Sequence, residues 1–202
     1  MTWIYWFGWT LFGSAYRSLF GLKVVGRENL VREGPVLIVS NHESFLDPPL
    51  IGTLYRDDMY YLARKSLMKG AVLKWIYRAW NSIPVDQDRP DMSGLKAIIK
   101  LLNAGERVLI FPEGERSLDG ALGQAQPGVG LIAVKSNVVI QPIRIRGARE
   151  ALPRGSGRIR FNQISLHIGP PIRLTKEELA TAKGKHGYKD IADRLMAAIE
   201  AL

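Results

Sequence analysis

Short runs of β-branched and other apolar residues alternate along the chain with longer stretches whose apolar positions repeat at the helical period. Val36 to Ser40 is apolar almost throughout and is entered through Gly34-Pro35, which predicts a strand buried on both faces. The spacing then predicts a helix from Asp47 to Tyr55, whose prolines at 48 and 49 fit a first turn, and a strand over Met59 to Ala63. A helix over Lys65 to Trp80 leads to a strand over Ser82 to Val85, and a helix over Asp91 to Asn103 is stopped by Ala104-Gly105. Arg107 to Phe111 reads as another buried strand and Val129 to Ser136 as a short helix. Val138 to Arg146 and Arg158 to Ile168 read as longer strands, separated by an exposed connection from Gly147 to Gly157. A last helix starts near Thr175 and carries Ile191, Leu195, Ile199 and Leu202 along one side. Strands separated by helices predict an α/β layered sandwich with a mostly parallel central sheet flanked by helices.

The N-terminus breaks this pattern. Met1 to Tyr16 carries no charged side chain and holds Trp3, Trp6 and Trp9 among Tyr5, Phe7, Phe12 and Tyr16. A secretory signal would put basic residues ahead of its apolar stretch, whereas the first one here is Arg17, behind it. A spanning helix needs roughly 20 predominantly apolar residues, and Gly8, Gly13, Ser14 and Arg17 interrupt this stretch. Dense Trp and Tyr suit the headgroup boundary of a bilayer. Residues 1–22 are therefore expected to form a membrane-associating helical segment, lying in or dipping into one leaflet, and residues 23–202 a single domain. A helix packed into the core or into an oligomer is the competing reading.

Composition narrows the classes further. The chain has 202 residues, 47% apolar and 23% charged, as expected of a folded domain. It holds 28 Lys and Arg against 19 acids, a net charge of +9, which points to an anionic partner such as nucleic acid, an acidic membrane or a phosphorylated substrate. The basic residues are scattered and no helix-turn-helix or RNA-recognition pattern is present, which argues against nucleic acid. With no Cys and three His in no metal-ligand spacing, neither a thiol nucleophile nor a metal site is expected. In the Lys65 to Trp80 helix, Lys65 and Lys69 share one side and Lys74 and Arg78 another, so no single basic face is formed.

Two clusters follow directly on predicted buried strands, where ligand sites form in open α/β sheets. The first is Asn41-His42-Glu43-Ser44-Phe45-Leu46-Asp47. Asp47 could hold one imidazole nitrogen of His42 and leave the other to take a proton. Taken alone, the pair also fits a polar loop residue followed by a helix cap. Ser44 is a candidate nucleophile, although no Gly-x-Ser-x-Gly elbow surrounds it. The second cluster is Phe111-Pro112-Glu113-Gly114-Glu115-Arg116-Ser117, where Gly114 permits close backbone approach and Arg116 offers a planar fork to phosphate oxygens.

Asn-His-x4-Asp followed downstream by Phe-Pro-Glu-Gly-x-Arg-Ser resembles the glycerolipid acyltransferases, the 1-acylglycerol-3-phosphate acyltransferase (PlsC-type) family and its glycerol-3-phosphate relatives. The resemblance runs from about Gly26 to Arg146, and Val139-Ile140-Gln141-Pro142-Ile143 is similar to the family's fourth block. It implies that His42 is a general base oriented by Asp47, that Glu113, Gly114 and Arg116 bind the acceptor phosphate, and that Pro142 lies in an acyl or substrate pocket. It further implies transfer of a fatty acyl group from acyl-CoA or acyl carrier protein to a lysophospholipid, without a cofactor, on the cytoplasmic face of a bacterial inner membrane. A non-catalytic lipid-binding module on the same fold, or another lysolipid acceptor, is the alternative. The sequence departs from the pattern twice. After Ile83-Pro84-Val85-Asp86 the family places Arg, where this chain has Gln87, so Arg89, or else Arg64, Lys65 and Arg116, would meet the phosphate. Glu115 replaces the family's Thr and would oppose an anion unless it points outward.

Overall fold

The computed structural model describes residues 3–56, 59–64, 68, 70–85 and 92–202. Seven strands form one sheet: β1 (Lys23–Val25), β2 (Val36–Ser40), β3 (Met59–Arg64), β4 (Ser82–Val85), β5 (Arg107–Ile110), β6 (Val139–Arg146) and β7 (Ser165–Ile168). Their order is β1-β7-β6-β2-β5-β3-β4, and every neighbouring pair is parallel except β6 with β7. Helices α1 (Trp3–Leu19), α2 (Asp47–Gly52), α3 (Ala71–Ala79), α4 (Met92–Asn103), α5 (Pro127–Ser136), α6 (Ala148–Ala151), α7 (Lys176–Thr181) and α8 (Gly184–Glu200) cover it.

The central strand explains the two-sided core. Val36 and Ile38 of β2 enter one apolar cluster with Leu50 and Ile51 of α2 and with Tyr16 and Phe20. Leu37 and Val39 enter the other, with Ile98 of α4, Ile132 of α5 and Leu195 of α8. A strand with apolar side chains on both faces can be placed only between two helical layers. The chain leaves β2 through α2 on one face toward β3, and leaves β5 through α5 on the other face back to β6. The two connections therefore diverge between β2 and β5, which opens a crevice beyond the carboxyl ends of those adjacent strands.

Residues 1–22 are attached more firmly than the sequence suggests. Tyr16 is fully buried, its hydroxyl donates to Leu46 O at 2.8 Å, and Phe12 meets the Trp80 ring edge-on with centroids 5.3 Å apart. One side of α1 belongs to the core while Trp6, Phe7, Leu11 and Leu19 face outward. No helix among the described residues is long and apolar enough to cross a membrane.

Other expectations need correction. Only Ser165–Ile168 of the segment expected as a strand from Arg158 joins the sheet; Arg158 to Phe161 are exposed and unpaired with any strand. The connection after β6 is not wholly exposed, because α6 buries Ala148 and Ala151. The C-terminal helix is two helices. A capping box between Thr175 and Glu178 nucleates α7, and Lys183 is extended before α8 begins. The expected starts of helices at Lys65 and Asp91, with the Lys65 and Lys69 side, lie outside the described residues.

Pro142 sits inside the sheet. It pairs in register with Val39, and Gly169 N–H donates to its carbonyl at 3.0 Å. A proline has no N–H to return to the Gly169 carbonyl; the Gln141 side chain donates to Gly169 O instead, at 2.6 Å, and accepts from Val31 N–H at 3.0 Å. Pro142 is thus tolerated in a central strand because its neighbour's amide replaces the missing donor.

Helices α5 and α8 touch at Gly130, where a Cβ would lie 1.8 Å from the backbone oxygen of Tyr188. Gly130→Ala must push the helices apart and is expected to cost about 1–3 kcal/mol. Gly13→Ala, which meets nothing within 4 Å, should leave stability unchanged or raise it by up to about 1 kcal/mol. Urea unfolding of both variants checks this, and equal midpoints would show that the α5–α8 contact carries no constraint.

Candidate active site

The crevice between β2 and β5 is built from the two loops that leave those strands. His42 follows β2 by two residues. Its Nδ1 lies 2.8 Å from Asp47 Oδ2, and the same carboxylate oxygen accepts the backbone N–H groups of Glu43 and Ser44, both at 2.7 Å. Asp47 is fully buried at the start of α2. Its carboxylate does not cap that helix; it folds back over the preceding loop. Because Oδ2 already accepts two backbone N–H groups, the ring is the donor in the third contact and carries its proton on Nδ1. Nε2 is then the nitrogen with a lone pair.

The backbone and ring of His42 are held as well. Its N–H donates to Glu113 Oε1 at 3.0 Å and its carbonyl accepts from Ser117 N–H at 2.8 Å. The imidazole stacks on Phe111 with centroids 3.9 Å apart and planes 9° from parallel. The side chain remains 18% exposed, enough to meet a substrate.

Glu113 therefore ties the two loops together. Its second oxygen accepts from Gly123 N–H at 2.9 Å, and a Cβ at position 123 would lie only 2.9 Å from that oxygen, so the approach needs glycine. Burial pushes the Glu113 pKa up against the pull of the N–H groups of Gly123 and His42. With both oxygens occupied by the backbone, this carboxylate acts as a strut and is poorly placed to touch a phosphate. Gly114 has φ +78, a left-handed conformation that turns the loop outward after the strut. The Arg116 guanidinium lies flat on the exposed Phe45 ring, 3.6 Å from its centroid, which joins the second loop to the first again.

Three further residues, of which only Arg154 lies outside the two clusters read from the sequence, hold the site without a role assigned in advance. Arg154, from the connection after α6, donates through Nη1 to Arg116 O at 2.8 Å and to Glu115 Oε2 at 3.1 Å. Glu115 thus points outward into an ion pair, which removes the expected conflict with an anion. Asn41 donates to Ile145 O at 2.9 Å and accepts from Ile145 N–H at 2.7 Å, pinning the end of β2 to β6. Glu43 is buried beneath the loop, accepts from Asn41 Nδ2 at 3.0 Å and Arg149 N–H at 3.3 Å, and has its pKa pushed up to about 7, first by burial and then by Asp47. Ser44 is buried with its hydroxyl donated to Leu152 O at 2.9 Å, a structural arrangement rather than that of a nucleophile. Arg89, Asp86 and Gln87 lie outside the described residues.

Beside the start of α2 is a narrow apolar cleft of about 40 Å³, lined by Trp9 and Phe12 of α1, Pro48 and Pro49 of α2, Met59 of β3, and Trp80. Pro142 does not line it.

An α/β sheet with a carboxylate-oriented histidine at its central crevice, an arginine-bearing loop tied to it and an apolar cleft nearby defines a class of protein suited to proton-assisted chemistry. The chain belongs to the acyltransferase family, whose model, described as "Acyltransferase", matches residues 21–146. It is 29% identical over 164 residues to a chloroplastic 1-acyl-sn-glycerol-3-phosphate acyltransferase of Arabidopsis thaliana, covering 79% of this chain and 46% of that one. It is 28% identical to the 1-acyl-sn-glycerol-3-phosphate acyltransferase of Bacillus subtilis (strain 168), covering 90% of this chain and 84% of that one. The chain spans about half the length of the plant and algal relatives it matches. Its fold is similar to the crystal structure of the 1-acyl-sn-glycerophosphate acyltransferase PlsC from Thermotoga maritima. There the TM-score is 0.72 and the identity 26%, covering 98% of this chain and 79% of that one.

The raised pKa of Glu43 has a definite sign in stability. From the ordinary carboxylate range up to about pH 7, the folded chain holds a proton that the unfolded chain has released, so stability falls as pH rises through that window. The loss is on the order of 2–3 kcal/mol. Glu43→Gln should flatten that part of the profile; chemical denaturation at several pH values reads it, and an unaltered slope would assign the proton to another group.

Proposed function

We propose that the chain is a 1-acylglycerol-3-phosphate O-acyltransferase, moving a fatty acyl group from acyl-CoA or acyl carrier protein to the free hydroxyl of 1-acylglycerol-3-phosphate and forming phosphatidic acid. The observation that carries the reading is the 2.8 Å contact between His42 Nδ1 and Asp47 Oδ2, with that oxygen already fixed by two backbone donors. The family and the names of the relatives support it.

In this reading His42 Nε2 takes the proton of the acceptor hydroxyl as its oxygen attacks the thioester carbonyl carbon. The new C–O bond forms, the C–S bond breaks, and the departing thiolate receives the proton from the imidazolium. Asp47 keeps the tautomer and stabilises the transient positive charge. The step draws on no cofactor or metal; the thioester is a co-substrate. Arg116 and the backbone around Gly114 meet the acceptor phosphate, while Glu113 positions both loops. The acyl chain enters the apolar cleft between α1 and α2, whose mouth adjoins Asp47 through Pro48. The outward Trp6, Phe7 and Leu11 of α1 rest on a lipid surface, which makes the protein peripheral or monotopic, on the cytoplasmic face of a bacterial inner membrane.

Thiol release from acyl-CoA and from acyl carrier protein, measured with lysophosphatidic acid and a panel of other lysolipids, tests the reading. His42→Ala should lower kcat/KM by ~10²–10⁴. Asp47→Asn should lower it by up to about 10⁴, the loss seen when an orienting carboxylate is replaced in a serine-protease triad. Both variants should keep the wild-type circular dichroism. No release by the wild-type chain with any lysolipid would leave a non-catalytic lipid-binding module, and release only with another head group would reassign the acceptor.

A further inference from the structure

Between α6 and β7 the chain presents four consecutive exposed residues, Arg158, Ile159, Arg160 and Phe161. Phe161 is 69% and Ile159 53% exposed, so two large apolar side chains stand in solvent, alternating along the chain with two guanidinium groups. The segment is fixed. Arg160 N–H donates to Ala151 O at 2.8 Å, Arg158 N–H donates to Ser156 Oγ at 3.1 Å, and Asn162 Nδ2 donates to Gly147 O at 2.9 Å. It is also continuous with α1. The Phe161 ring lies 5.7 Å, centroid to centroid, from that of Phe20, the residue after α1, whose outward side shows Phe7, Leu11 and Leu19 with Arg17.

We propose that Arg158, Ile159, Arg160 and Phe161 form a second membrane contact, beside α1, that docks the protein on anionic lipid. The inference rests on the reading of the chain as an enzyme acting on lipid. Alternation of cation and large apolar side chain suits the boundary of a bilayer, where rings and aliphatic groups enter the acyl region while guanidinium groups meet phosphates. An acidic carrier protein would be met by cations alone, and the exposed Phe161 and Ile159 would then be a cost with no return. The stretch just before it, to which Arg160 N–H is tied through Ala151 O, is wired to the crevice. The carbonyl of Leu152 accepts from Ser44 Oγ in the His42 loop, and Arg154 holds the carbonyl of Arg116. Docking through this face therefore sets the orientation of the acceptor loop relative to the lipid plane.

The full chain is mixed with vesicles of phosphatidylcholine alone, or of phosphatidylcholine with phosphatidylglycerol, and sedimented. Wild type should bind the anionic vesicles more tightly. Arg158→Gln with Arg160→Gln should lower binding to anionic vesicles roughly 30-fold and leave neutral ones little changed. Ile159→Ser with Phe161→Ser should weaken binding to both. Thiol release with a water-soluble short-chain acceptor should be unaltered in both double variants, which also shows that they fold. Either variant binding anionic vesicles like wild type would overturn the proposal. So would a lost turnover with acyl carrier protein alone while vesicle binding persists, which would make the segment a contact for the protein donor. Absence of soluble turnover in the wild type would instead overturn the acyltransferase reading, leaving the vesicle result to judge the docking face.

Discussion

The imidazole of His42 is only as well placed as the carboxylate that holds it, and that carboxylate has almost no freedom. Asp47 is buried at the head of α2, and a single oxygen takes three donors, one from the ring and two from the loop carrying the ring. The six residues from His42 to Asp47 close on themselves, so the geometry of the pair is local and travels as a unit. A local unit still has to be aimed. Aim comes from β2 and β5 being parallel neighbours in register, with Glu113 accepting from His42 N–H on one side and Gly123 N–H on the other. Parallel strands need crossovers, and crossovers on opposite faces open the crevice.

Much of this was legible in the residues because the pattern there is strong. β2 and β4 match their expected bounds, since an unbroken apolar run and a clear turn leave little choice of register. The His42–Asp47 contact was legible from spacing, because a carboxylate placed just inside a helix can fold back on the loop before it. What escaped was whatever depends on distant chain. Arg154 reaches Arg116 from 38 residues away, and Glu113 meets His42 across 71. Arg158 to Phe161 mimicked a strand because alternating Arg with Ile and Phe has the period of one. Its apolar side chains lack a second layer to cover them, so the pattern alone could not distinguish a sheet from a surface. Pro142, named only through the resemblance to the family's fourth block, lies within β6, where the Gln141 amide supplies the donor it lacks.

The attachment of α1 follows from the same two-sidedness. Its aromatics divide between a buried side, where Tyr16 hydrogen-bonds to the turn ahead of Asp47, and an outward side of Trp6, Phe7 and Leu11. Tyr16 therefore couples the outer helix to the segment that orients the histidine. Burial raises the pKa of its hydroxyl far above the normal range, with the Asp47 charge adding to the effect, so the hydroxyl stays a neutral donor at every working pH. A helix joined to the site in this way brings the crevice to whatever surface its outer side meets.

In the proposed reading the site keeps a carboxylate behind the imidazole and also receives an anion, a conflict of sign that the arrangement of acids resolves. Glu43, Asp47 and Glu113 all lie near His42, and three full negative charges there would repel a phosphate. Burial pushes the pKa of Glu43 and of Glu113 upward, so the energetic preference is for fewer charges. Asp47 has two backbone N–H donors and the imidazole on one oxygen, which concentrates the charge where a transient imidazolium needs it. Glu115, the acid nearest Arg116 in sequence, is paired outward with Arg154. An exposed pair of this kind adds little stability, but it cancels a charge that would otherwise compete with the ligand. What remains facing the crevice is the His42 imidazole and the Arg116 guanidinium laid against Phe45. In that reading positive charge lies on the side proposed for the acceptor, and the Asp47 carboxylate lies behind the ring.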